Sequence, residues 1–100
     1  MVSSNISSIE TLDDLQRFIY RTICNDHELL PDAFPTSENI LRKANGISCG
    51  MMFCLHGPRK IKFTAIWEKE NNRILFYGPS GNRYQQVVLE ESPVAALEIQ

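Results

Sequence analysis

The sequence predicts an α+β protein in which two N-terminal helices pack on one face of an antiparallel β-meander of three to four strands. Three observations lead there. Apolar residues recur at helical spacing through the first part of the chain and alternate in and out from Gly50 onward. Clusters of Gly, Pro and Asn then interrupt the alternation at Gly57–Pro58, Asn71–Asn72 and Gly78–Gly81, so close together that hairpins are the natural connections. Charge divides at the same place. Residues 1–41 carry seven acids against Arg17 and Arg21, whereas residues 42–89 carry eight bases against Glu68 and Glu70.

The first helix begins at Thr11, a hydroxyl residue suited to accept a free N–H, followed by Asp13 and Asp14 where the helix dipole favours negative charge. Leu12, Leu15, Phe18 or Ile19, and Ile23 form its apolar stripe, and Asp13 precedes Arg17 by one turn. Asn25, Asp26, Pro31 and Pro35 break the helix, while Leu29, Leu30 and Phe34 draw the connection back to the core. A second, shorter helix is expected after Thr36 or Ser37, with Ile40, Leu41 and Ala44 on its apolar side and Asn45–Gly46 as its C-terminal cap.

Met51, Phe53 and Leu55 lie on one side of the first strand, and Met52, Cys54 and His56 on the other. A connection of Gly57, Pro58 and Arg59 brings in a second strand with Ile61, Phe63, Ala65 and Trp67 on the core side. That loop sets Leu55 opposite Ile61 and Phe53 opposite Phe63. Asn71 and Asn72 tolerate positive φ and close the next hairpin, which places Ile74 and Phe76 beside Trp67 and Ala65. A fourth strand over 83–89 has two phases open to it, with either Tyr84 and Val88 or Val87 and Leu89 inward. Ser92–Pro93 reads equally as a helix start or a strand end. The whole is expected to be one small globular domain over 1–100, with a mobile N-terminal tail over 1–9 and a tail of unassigned structure over 92–100.

A content of 43% hydrophobic and 22% charged residues is that of an ordinary globular chain. The longest apolar run, Met51–Leu55, falls far short of the roughly 20 residues that cross a bilayer. A cytoplasmic protein with no membrane partner is therefore expected. Three cysteines, Cys24, Cys49 and Cys54, cannot all pair within one chain, which suits a reducing compartment.

No catalytic, metal or cofactor motif stands out. The Cys and His spacings match no zinc pattern, and the Gly-Pro turns lack the lysine of a phosphate loop. Attention falls instead on the outer sheet face, where the alternation gathers Met52, Cys54, His56, Lys60, Lys62, Thr64, Ile66, Arg73, Leu75 and Tyr77. The candidate binding residues are Arg59, Lys60, Lys62, Ile66, Arg73, Leu75 and Tyr77. Apolar groups on a free sheet face point to a protein partner or a second copy of the chain, and this non-enzymatic interaction module is the leading expectation. Cations beside Tyr77 offer nucleic-acid or anion binding as the alternative. A thiol enzyme built on Cys54 and His56 is third, without an orienting group or oxyanion site.

Overall fold

A computed structural model of the chain describes residues 11–89. The expected tails over 1–9 and 92–100 lie outside the described residues. One helix, α1 (Leu12–Asp26), is followed by five strands: β1 (Thr36–Arg42), β2 (Ser48–His56), β3 (Lys62–Glu68), β4 (Arg73–Tyr77) and β5 (Arg83–Val88). The strands form a single antiparallel sheet in sequence order, β1 to β5. The α+β class is as expected, but there is one helix among the described residues rather than two, and there are five strands rather than three or four.

The first helix forms as its sequence dictates. Thr11 Oγ1 accepts the N–H of Asp14 at 3.0 Å, and Asp13 and Asp14 occupy the first turn. Leu15, Ile19, Ile23 and Cys24 make up its buried stripe. These face Phe53, Phe63, Ala65, Trp67, Ile74 and Phe76 of the sheet, all buried in one cluster. The helix crosses the sheet obliquely. Tyr20 reaches the β1–β2 pair, where its hydroxyl lies 2.6 Å from Glu38 Oε2, and His27 beyond the C-terminus stacks on Phe63 at 4.3 Å and meets Tyr84 of β5.

The expected second helix is β1. Its apolar positions serve a strand equally well, because Ile40 faces the core opposite Met51 while Leu41 turns to the other side. The deciding feature is Asn45–Gly46, which closes a hairpin instead of capping a helix. Lys43 N–H donates to Ile47 C=O and Gly46 N–H to Lys43 C=O, each at 2.9 Å, with Gly46 at φ 87°. This is a three-residue loop with its last residue left-handed, a common hairpin solution.

The β2–β3 register also differs from expectation. Leu55 pairs with Phe63 and Phe53 with Ala65, a slip of two residues. Ile61 N–H turns back to Pro58 C=O at 3.0 Å, with Arg59 and Lys60 both left-handed at φ 59° and 65°. Positive φ at both central positions is the pattern of a type I′ turn. A slip of two leaves the side chains that remain in the strands on their expected face, while Lys60, expected on the outer face, is drawn into the turn. Trp67 does pair with Ile74 and Ala65 with Phe76, as the Asn71–Asn72 hairpin implies.

The open phase of the last strand is settled by a bulge. Phe76 pairs with Gln85 and Tyr77 with Arg83, so Tyr84 is an extra residue. Val87 and Leu89 point inward, at 9% and 4% exposure, while Val88 is 60% exposed. The bulge lets Tyr84 join the helix side as well, where it meets His27 and Asp26.

Candidate interaction surface

The face of the sheet turned away from α1 is covered by no element among the described residues. Pairing registers lay it out in rows. One row holds Ser37, Cys54, Thr64, Tyr77 and Arg83. The next holds Asn39, Met52, Ile66, Leu75 and Gln86, and a third holds Leu41, Gly50, Glu68, Arg73 and Val88. The middle row is therefore apolar across the three central strands and capped by an amide at each end. An antiparallel sheet with one wet face ordinarily alternates polar residues there. Leu75 is only 4% exposed, whereas Met52 and Ile66 are half-buried.

Five of the seven candidate residues come together on this face: Lys62, Ile66, Arg73, Leu75 and Tyr77. Arg59 and Lys60 do not. They sit in the turn at the end of the β2–β3 hairpin, off the face. Arg73 is committed locally, since its Nε donates to Glu68 Oε1 at 2.6 Å and Asn71 Nδ2 adds a second donor to the same oxygen at 3.2 Å. These bonds, the arginine's foremost, hold the Glu68 carboxyl below the usual carboxylate range. Glu68 thus removes one cation from a phosphate-binding surface.

Sequence reasoning missed Asn39 and Leu41 on this face and left Gln86 and Val88 open with the phase of the fourth strand. The first two escaped because β1 was expected to be helical. The Asn-Gly pair at 45–46 was the signal that could have revealed them.

The thiol arrangement takes another form than the one considered from sequence. His56 Nε2 lies 3.1 Å from Ser37 Oγ, and Cys54 Sγ lies 3.9 Å from Thr64 Oγ1. Burial pushes the Cys24 thiol up, with the nearby Asp32 adding to the effect, so that thiol is held in its unreactive protonated form. Among the described residues no three His, Cys, Asp or Glu side chains converge to hold a metal ion.

On the helix side, a groove of about 520 Å³ lies between α1 and the segment leading into β1, with Cys24, Phe34 and Leu55 in its wall and Arg17 and Arg21 at its lip. Gln16 and Tyr20 also line it, and both donate to Glu38 Oε2, at 3.3 and 2.6 Å. Burial first and then the Glu38 carboxylate drive the Tyr20 phenol well above its ordinary range. The hydroxyl is consequently a fixed donor at neutral pH.

No family model, curated protein or solved structure matches the chain.

Proposed function

We propose that the protein is a non-enzymatic interaction module that binds a protein partner through the outer face of its sheet. The observation that supports this reading is the row Met52, Ile66 and Leu75, apolar across three adjacent strands on a face without a covering element among the described residues. Polar groups border much of it: Asn39 and Gln86 at its ends, Thr64 and Tyr77 on one side, the Glu68–Arg73 pair on the other, with Cys54 and Gly50 beside Met52. An apolar centre within a polar rim is the anatomy of a protein interface. Neutralisation of Arg73 by Glu68 weighs against the nucleic-acid alternative. A reducing, cytoplasmic setting goes with this reading, since Cys24, Cys49 and Cys54 are all unpaired.

The test compares wild-type protein with an Ile66→Glu variant of unchanged thermal melting. Ile66 is half-buried and faces outward, so the charge disturbs the face without entering the core. The wild type should recover one stoichiometric protein partner that the variant does not, and the complex should slow hydrogen exchange across β2, β3 and β4. Equal recovery by the variant, or protection confined to α1, would overturn the reading.

A further inference from the structure

The two edges of the sheet are not alike. Edge strand β5 carries the extra residue Tyr84, and a bulge bends an edge away from any strand that would add to it. Edge strand β1 is unbroken. The irregularity between β1 and β2 lies in β2, where Cys49 is passed over between the pairs Leu41↔Gly50 and Arg42↔Ser48. The backbone of β1 therefore keeps regular alternation from Thr36 to Arg42.

Which of its backbone groups are free follows from one bond. His56 N–H donates to Pro35 C=O at 2.9 Å. Antiparallel alternation then turns the N–H and C=O of Ser37, Asn39 and Leu41 toward β2, and those of Glu38 and Ile40 toward the open edge. Among the described residues no strand pairs with that edge.

We propose that β1 pairs with β1 of a second copy of this chain, antiparallel about a two-fold axis at Ile40, joining two five-stranded sheets into one continuous sheet. Charge selects the register. An axis at Glu38 would set two carboxylates face to face, and an axis at Asn39 would set Glu38 against Ile40. An axis at Ile40 sets Ile40 against itself and places Glu38 opposite Arg42 of the second copy, twice over. Opposite charges directly across a strand pair stabilise it, and like charges there destabilise it.

Both partners are ready for this. The Glu38 carboxylate is already fixed by the Tyr20 hydroxyl and the Gln16 amide, so little side-chain freedom remains to be lost. The Arg42 side chain is exposed and, among the described residues, donates only to the Gly46 carbonyl, at 3.1 Å. A two-fold axis of this kind keeps the outer faces on one side, so two Met52–Ile66–Leu75 rows would share a single surface. The proposal uses the sheet's edge and stands apart from the partner reading of its face.

Sedimentation velocity from micromolar to near-millimolar protein tests it. A strand-to-strand contact falls in the weak class below about 1,200 Å², so the wild type should move from monomer to dimer across that range. Ile40→Pro removes an edge N–H that β2 does not use, which an edge strand tolerates, and should give a monomer throughout. Arg42→Glu should weaken dimerisation about tenfold by placing like charges opposite each other, and Glu38→Arg combined with Arg42→Glu should restore it. Should the double variant fail to fold because Tyr20 loses its acceptor, the two single variants decide. A wild type that stays monomeric, or a dimer indifferent to both Ile40→Pro and Arg42→Glu, overturns the proposal. A dimer lost in Ile66→Glu but kept in Ile40→Pro would do so too, while favouring self-association through the outer face.

Discussion

Asn72 ties the far end of the sheet together, and replacing this partly buried turn residue should be costly. Its Oδ1 accepts the indole N–H of Trp67 at 3.0 Å, and its Nδ2 donates to Leu89 C=O at 3.1 Å. Trp67 is fully buried, so losing that acceptor strands a buried donor, a cost of about 1–3 kcal/mol. Asn72 is also left-handed, at φ 48°, where alanine is disfavoured by about 1 kcal/mol and glycine is not. Asn72→Ala should thus lose about 2–4 kcal/mol, and Asn72→Gly about 1 kcal/mol less. Urea unfolding followed by the fluorescence of Trp67, the single tryptophan, reports on the residue most affected. With a slope of about 1 kcal/mol per molar urea, the midpoint of Asn72→Ala should fall by about 2 M or more. A loss under about 0.5 kcal/mol would refute the indole contribution. Equal loss in the alanine and glycine variants would refute the backbone contribution.

Four further outcomes follow from the same structure. A side chain at Gly50 would run into the backbone carbonyl of Trp67, so Gly50→Ala should cost about 3 kcal/mol or more in the same unfolding experiment. Replacing the β2–β3 turn pair by Arg59→Asn with Lys60→Gly should raise stability by about 1 kcal/mol, because both positions have positive φ; an unchanged melting temperature would contradict this. Because the Glu68 carboxyl is lowered on folding, its contribution is present above the unfolded carboxyl value of about 4.3 and is lost as pH falls, so Glu68→Gln should flatten the acid limb of a stability-pH curve. Tyr20 works in the opposite sense: its phenol is raised on folding, its contribution is complete below about pH 10 and fades above it, and Tyr20→Phe should flatten the alkaline limb.

Much of the fold is written locally in the chain. Thr11, the two aspartates after it and the stripe of Leu15, Ile19 and Ile23 specify α1 with its cap and its buried side. The alternation from Met51 to Phe76 specifies which side chains enter the core, and that assignment survived even where the pairing slipped, since strand side chains repeat every two residues. The outer-face residues Lys62, Ile66, Arg73, Leu75 and Tyr77 were legible for the same reason.

Long-range contacts decided the remainder. Thr36–Arg42 has helix-compatible spacing, yet it becomes a strand because β2 offers it a ladder of backbone bonds and Ile40 a place beside Met51. The Arg59–Lys60 turn bears no Asn-Gly signature, and two residues disfavoured at positive φ are held there by the strands they join. The phase of β5 depended on the bulge at Tyr84, which the contacts with His27 and Asp26 at the end of α1 reward. By itself the sequence determined the periodicity from Met51 onward, the Thr11 cap and the two faces of the central strands, because these arise between residues a few positions apart. Only the tertiary structure determined the strand number, the β2–β3 register and the bulge at Tyr84, because those depend on which distant backbone groups are within reach.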